Sequence, residues 1–431
     1  MNADDFLATL GEPELDYQDG YYIGIMSGTS LDGVDAALCR FFTDLPNDFT
    51  EQTTSYKQAA SHKKDASIYN DETAPSSHGK KIELIATHSL DFTPALRQTL
   101  LALCMPNGTD ALTPSMSELD WFGRASREYG ELISELVGEL LAKTTLGADD
   151  IIAIGCHGQT VRHRPEQGFS LQLIDPNVIA ERTGITVVSD FRRRDMAANG
   201  QGAPLVPAFH QAIFGRQAHT QVVLNLGGIA NITVLPPKDS TDTVMGYDTG
   251  VANLLMDGWI HRHEQKNFDK DGAWAKSGTV HEALLAKLCA HPFLAQTAPK
   301  STGREDFNLA WLDDVLATLA PIAPADVQAT LCEFTAKTAA EQIVKFAQAD
   351  DAPTLYLCGG GAYNTHLATR FAHYLPNWHI DTTAALGLSP TWVEACAFAW
   401  LARQNILMQT GNLPAVTGAA HGVVLGMVCF A

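Results

Sequence analysis

Residues 22–35 read Tyr22-Ile23-Gly24-Ile25-Met26-Ser27-Gly28-Thr29-Ser30-Leu31-Asp32-Gly33-Val34-Asp35. The apolar run at the start predicts a strand. A turn of small residues interrupts it, and Val34 to Phe42 predicts a second strand. Small residues let a ligand approach the backbone closely, and successive N–H groups in such a turn form a nest for an anion. The candidate phosphate contacts are Gly28, Thr29, Ser30, Leu31, Asp32, Gly33, Val34 and Asp35. Asp32 adds a constraint, because a carboxylate repels a phosphate unless a cation lies between them. The pattern therefore points to a nucleoside triphosphate with Mg²⁺, Asp32 holding the metal through water. It is not a Walker loop: no Gly-Lys-Ser/Thr follows, and the turn leads into a strand rather than a helix. A tight hairpin of this composition needs no ligand at all, so the turn decides the matter only together with its companions.

The companions lie further along. Val222 to Val234 repeats strand, glycine turn and strand, with Asn225, Gly227 and Gly228 in or beside the turn. A third loop, Gly359-Gly360-Gly361, follows the strand predicted over Thr354 to Cys358, and Asn364 is placed to cap a helix that starts near Thr365. Two like hairpins in corresponding places predict a duplicated α/β domain, the hairpins facing each other across a cleft. The expected division is 1–205 and 206–431, with the Pro-rich stretch Ala203 to Pro207 as the crossover. The last helix, expected over Pro390 to Arg403, and the tail would pack back toward the first domain. Tyr129, Leu132, Ile133, Leu136, Val137, Leu140 and Leu141 recur at helical spacing. From about 43 to 80 the chain turns polar, which reads as a solvated insertion or a partner surface.

At 431 residues the chain has room for two or three cores. Its net charge of −20 disfavours DNA or anionic membranes as the main partner. An anionic substrate would have to be drawn by local charge. The eight cysteines form no CxxC pair and mostly sit in apolar runs, as buried thiols of a reducing compartment do. Residues 1–20 lack the basic and apolar regions of a secretory signal, and no apolar run is long enough to span a bilayer. A cytoplasmic location is expected.

Two glycine hairpins and a late glycine triplet resemble the actin, Hsp70 and sugar-kinase superfold. Within it, the chain is similar to the anhydro-N-acetylmuramic acid kinase family over nearly its whole length. The resemblance rests on residues 26–33, Gly155-Cys156-His157-Gly158-Gln159-Thr160, Asp190-Phe191-Arg192-Arg193-Arg194-Asp195, residues 200–207, Asn225-Leu226-Gly227-Gly228, Gly246-Tyr247-Asp248-Thr249-Gly250, residues 300–305, Cys358-Gly359-Gly360-Gly361 and residues 411–414. It implies two similar actin-like, ribonuclease-H-like domains around a nucleotide cleft. It implies ATP and Mg²⁺ as cofactors and 1,6-anhydro-N-acetylmuramic acid as substrate, and it suggests a homodimer. Water would open the anhydro ring at C1, and O6 would take the γ-phosphoryl group, giving N-acetylmuramic acid 6-phosphate and ADP. Kinases of another sugar or of a carboxylate share the superfold, as do non-catalytic ATP switches.

The resemblance makes Asp248 the general base; a loop-shaping carboxylate is the other reading. Glu394, costly in an apolar helix unless paired, would contact the sugar near the reacting centre. Asp190 ends a strand where other sugar kinases carry a base, and here it could contact the sugar or orient the metal's waters; equally, Arg192, Arg193 and Arg194 could simply hold Asp190 and Asp195 in an ion-pair network. His157 and Gln159 could hydrogen-bond the sugar or fix their own loop. No second His or Cys stands at ligand spacing for a structural zinc. Val251-Ala252 replaces the family's Pro-Gly, which removes a glycine from the Asp248 loop. Asn199 stands where glycine is usual, a change that asparagine's tolerance of left-handed backbone makes benign.

Overall fold

The computed structural model describes residues 19–28, 31–42, 81–105, 107–112, 116–215, 217–304, 306–347 and 352–431. Thr29, Ser30 and the 43–80 insertion fall outside these residues. Strands β1 (Gly20–Met26), β2 (Gly33–Phe41) and β3 (Ile82–Asp91) form an antiparallel meander. On the other side of β1, β4 (Ile151–Cys156) and β7 (Val187–Ser189) add in parallel. β5 (Gln159–Arg164) and β6 (Phe169–Leu173) make a separate hairpin. The second sheet repeats the plan. β8 (Gln221–Leu226), β9 (Ile229–Leu235) and β10 (Met245–Val251) form the meander, and β11 (Thr354–Cys358) and β12 (His379–Thr382) run parallel beside β8. Strand β13 (Met427–Cys429) is the one addition, antiparallel to β7 at the edge of the first sheet. Two mixed α/β units of identical strand order and sense are the duplicated ribonuclease-H-like arrangement of the actin superfold.

Alternation along the strands explains how each sheet is covered. In β1 and β2, Ile23, Ile25, Ala36 and Leu38 face the helix Glu118–Leu141 and its buried Tyr129, Ile133, Leu136, Val137 and Leu140. Ser117 and Asp120 cap that helix reciprocally. The opposite face, Tyr22, Ala37 and Cys39, packs against the helix Val393–Ile406. In the second sheet, Val222, Leu224 and Leu226 face Val327, Leu331 and Phe334 of the helix Pro324–Ile343. Val223, Tyr356 and Cys358 point the other way and share a core with Tyr22, Phe209 and Phe398. The helices Val206–Phe214 and Val393–Ile406 thus lie in the apolar seam that joins the sheets.

Two glycines set the depth of the Val393–Ile406 helix. A Cβ on Gly24 would lie 1.8 Å from the carbonyl oxygen of Ala395, and one on Gly155 would lie 2.0 Å from that of Phe398. The helix backbone therefore rests directly on β1 and β4. The helix starts three residues later than the sequence predicts, because Pro390–Trp392 forms a tight 3-10 turn first. Among the described residues, no helix is long and apolar enough to cross a membrane.

Candidate active site

Parallel pairing brings the turns together. Cys358 of β11 lies beside Asn225 of β8, so Gly359–Gly361 and Asn225–Gly228 leave neighbouring strands at the same level. The packing leaves no room for side chains at two of the three glycines. Gly359 has φ +77°, and a Cβ there would sit 2.4 Å from Oδ1 of Asn225; on Gly361 it would be 2.7 Å from Leu226 Cβ. At Gly360 the space is open. The carbonyls of Gly227 and Gly228 accept from Asn253, Ala252 and Leu254, which fixes the second hairpin to the start of the helix Asn253–Glu264. Asn225 Oδ1 is buried with no hydrogen-bond partner among the described residues.

The first hairpin is braced differently. Leu31 takes the left-handed conformation (φ +56°), and Arg97 Nε donates to its carbonyl at 2.8 Å. Asp32 is largely exposed, with Arg97 Nη2 at 3.3 Å from its carboxylate. Gly33 meets the Leu90 carbonyl so closely that a Cβ would lie 2.4 Å from it. Val34 is buried, and Asp35 accepts from the Ser89 hydroxyl at 2.6 Å. Burial holds the Asp35 carboxyl above the usual range, the Ser89 bond pulling the other way. Asp257, on the Asn253–Glu264 helix, is a residue that sequence reasoning missed. Burial, and then the charges of Asp32 and Asp269, push its carboxyl up to about 7. Asp32 of the first hairpin and Asp257 beyond the second are thus electrostatic neighbours across the cleft.

A separate cavity of about 160 Å³ is lined by Met26, Arg192, Gln201, Ala203, Pro204, Leu205, Val206, Asn231, Gly246, Asp248, Pro299, Lys300, Ser301, Glu394, Phe398 and Val416. Asp248 and Glu394 therefore share one chamber. Asp248 sits at an irregularity of β10, where the register shifts before Gly250 at φ +146°. Its Oδ2 accepts from the Thr302 N–H at 3.0 Å, and its own N–H donates to the Lys300 carbonyl at 3.2 Å. The 300–304 loop thus holds the carboxylate, a role no local signal in the sequence conveys. Lys300 is buried, and its ammonium donates to the carbonyls of Phe293 and Leu294 at 3.4 and 3.3 Å. Burial lowers its pKa, with Lys345 adding to the effect and Asp248 opposing it. Val251 and Ala252 keep negative φ, so the left-handed freedom of the loop belongs to Gly250, which this chain retains. Asn199 has φ +65°, a conformation asparagine tolerates.

Glu394 opens the Val393–Ile406 helix. Burial raises its carboxyl pKa; Arg192 opposes the shift, Asp35 adds to it and a bond from Asn225 lowers it. It therefore sits between the cavity and both hairpins. Asp190 is not among the residues that line the cavity. It occupies the left-handed N-cap of the helix Phe191–Ala197 and accepts from Arg193 Nε at 2.7 Å. Asp195 is fully buried and accepts from Gly202 N–H, the Asn412 amide and the Thr417 hydroxyl. His157 and Gln159 are buried and engaged within the protein. Ser27 donates to Gln159 Oε1 at 2.7 Å, and Tyr129 donates to Ser27 at 3.2 Å, which anchors the first hairpin to the β4–β5 turn. His157 Nε2 lies 2.8 Å from Arg192 Nη2.

The sequence profile of the family described as Anhydro-N-acetylmuramic acid kinase matches residues 66–431. An Anhydro-N-acetylmuramic acid kinase of Psychrobacter cryohalolentis is 54% identical over 96% of this chain and 95% of its own length. One from Shewanella sp. (strain MR-7) is 46% identical over 94% of this chain and 97% of its own. Among solved structures, the chain is similar to the activator of the 2-hydroxyisocaproyl-CoA dehydratase from Clostridium difficile, with a TM-score of 0.38 and 11% identity over 89% of this chain and 94% of that one.

Proposed function

The chain belongs to the anhydro-N-acetylmuramic acid kinase family, and from that premise we infer how its cleft performs the reaction for which the family is named. The protein is an ATP-dependent kinase that opens the 1,6-anhydro ring of 1,6-anhydro-N-acetylmuramic acid and phosphorylates O6. The observation that carries the mechanism is the placing of Asp248 and Glu394 in one small chamber, with Glu394 also bonded by Asn225 of the second hairpin and near Asp35 of the first. Asp248 is the base. It takes a proton from water as the oxygen attacks C1, the C1–O6 bond breaks, and O6 keeps the bonding pair. O6 then accepts the γ-phosphoryl group, and ADP leaves. The Thr302 N–H and the Lys300 carbonyl hold Asp248 in place for this step. Glu394 orients the sugar near C1. The residues 28–35, Asn225, Gly227, Gly228 and 359–361 cradle the nucleotide, since phosphoryl transfer depends chiefly on positioning and charge. The cleft is then the seam between residues 1–205 and 206–431, and the kinase works in the cytoplasm as a homodimer.

Mg²⁺ fits the first hairpin on chemical grounds. Asp32 lies close enough to Asp257 that, after burial and together with Asp269, its charge helps push the Asp257 carboxyl up to about 7. Among the described residues, no three acidic, His or Cys side chains gather as a metal cage. That suits an ion held mostly by phosphates and water. Bound there, Mg²⁺ would neutralise phosphate charge. Asp257 is protonated below about 7, and a cation favours its ionised form, so affinity for MgATP is expected to rise as pH climbs through that value. Asp257→Asn should flatten the rise, and Asp32→Asn should raise the Mg²⁺ concentration needed for half-maximal turnover. A pH-independent affinity in the unaltered protein would remove Asp257 from the site.

The functional test is incubation with ATP, Mg²⁺ and the anhydro-sugar, followed by mass spectrometry. The expected product carries one water and one phosphoryl group more than the substrate. Turnover only with other sugars or carboxylates, or nucleotide binding with no turnover at all, would replace this function with a related kinase or an ATP switch.

A further inference from the structure

Arg192 lines the cavity, and no step of the reaction chemistry above uses it. Arg192 carries five N–H groups in a planar fork. Nε and Nη2 both reach His157 Nε2, at 3.1 and 2.8 Å, and Nη1 donates to the Gly202 carbonyl at 2.7 Å. One N–H on each terminal nitrogen is left without an acceptor among the described residues. His157 is held by packing, its buried Nδ1 having no hydrogen-bond partner among the described residues. It is buried, and its ring lies 4.8 Å from that of Phe398, which also lines the cavity. Burial and the Arg192 charge keep its imidazole neutral, as an acceptor must be. Lys300, another cation of the lining, directs two of its three N–H groups to the carbonyls of Phe293 and Leu294. That leaves Lys300 one N–H of three, against two for Arg192, and only the guanidinium holds its spare donors in a planar fork.

The muramyl sugar differs from other amino sugars of the same ring by a lactyl ether that ends in a carboxylate. A fixed guanidinium fork matches that group in charge and shape. Resting on the substrate inferred above, we propose that Arg192 binds the lactyl carboxylate and so sets the preference for anhydromuramic acid over neutral anhydro-sugars. His157 is a positioning residue that acts through Arg192. The alternative role for Arg192 is counter-ion to Glu394, which is near enough to raise its pKa against the lowering by burial. The two roles differ in which substrates feel the loss of the guanidinium.

The test compares kcat/KM for three sugars: 1,6-anhydro-N-acetylmuramic acid, its lactamide, and 1,6-anhydro-N-acetylglucosamine. Sites built around a polar group of the substrate reject analogues that lack it, so the unaltered enzyme should favour the acid by about 10²-fold or more. Arg192→Met should collapse that ratio to a few-fold, chiefly through KM for the acid. His157→Leu should reduce the ratio in the same way, and His157→Gln, which keeps a carbonyl acceptor, should restore part of it. Equal use of acid and lactamide by the unaltered enzyme would overturn the proposal without any variant being needed. Equal losses on acid and lactamide in Arg192→Met, with folding confirmed by its melting curve, would also overturn it and assign Arg192 to Glu394. Phosphorylation of none of the three sugars would refute the kinase function and this proposal with it, a result distinct from either of the others.

Discussion

Asp248→Asn is expected to lower kcat by about 10²–10⁴-fold, the usual contribution of a general base, with ATP binding little changed. The amide keeps the size of the side chain and leaves an oxygen for the Thr302 N–H, which now approaches the carboxylate at 3.0 Å. What it removes is the ability to take a proton from water. The nucleotide loops are separate in the chain and stand on other strand ends, so the loss should fall on turnover rather than on KM for ATP. Asp190→Asn is the control. Its carboxylate is already engaged by Arg193, and it does not line the cavity. A large kcat loss in Asp190→Asn, with Asp248→Asn still active, would transfer the base to the end of β7.

The second large effect is expected far from any polar group. Gly24→Ala should destabilise the fold by about 3 kcal/mol or more, at or beyond the upper end of ordinary overpacking. The added methyl has no flexible side chain to push aside. It would lie 1.8 Å from the Ala395 carbonyl and 2.5 Å from the Ala399 nitrogen, both helix backbone. Relief requires the Val393–Ile406 helix to lift off β1, and that movement carries Glu394 with it. Misplacement of about 1 Å can cost 10²-fold in rate, so whatever folds should also turn over slowly. Gly138→Ala is the comparison. It sits in the helix Glu118–Leu141 with open space around its Cβ, and alanine there should stabilise by roughly 0.5–1 kcal/mol. Denaturant unfolding of the two variants checks both signs. A stable, fully active Gly24→Ala would mean that the helix does not seat Glu394 as described.

Local pattern carried much of the architecture. The 22–35 and 222–234 hairpins were legible because apolar alternation and small-residue turns are short-range signals, and their strand orders prove identical. The Gly359–Gly361 loop was legible for the same reason. The surroundings of the cavity were not, because they are made by contacts between distant segments. Arg192 reads as one of three arginines beside two aspartates, yet among the described residues Arg193 is the one that pairs with Asp190. Asp195 is held by an amide, a hydroxyl and a backbone N–H instead. Arg192 turns to His157, 35 positions earlier. Asp257 looks like an ordinary polar residue of a helix until the fold brings it near Asp32. The support of Asp248 by Thr302 spans 54 positions and uses a backbone N–H, which leaves no trace in residue identity. Val251-Ala252 removes a glycine from the Asp248 loop, and the positive φ there lies at Gly250.

The central claim is that one active site couples hydrolytic opening at C1 to phosphorylation at O6. Turnover of ATP and 1,6-anhydro-N-acetylmuramic acid in H₂¹⁸O, quenched early and read by mass spectrometry with fragmentation, tests it most directly. Unlabelled product incubated in the same water serves as the control for slow exchange at C1. The mechanism predicts one heavy oxygen on C1 of N-acetylmuramic acid 6-phosphate and none in its phosphate. Heavy oxygen in phosphate, with C1 unlabelled, would show that water attacks phosphorus instead and would contradict it.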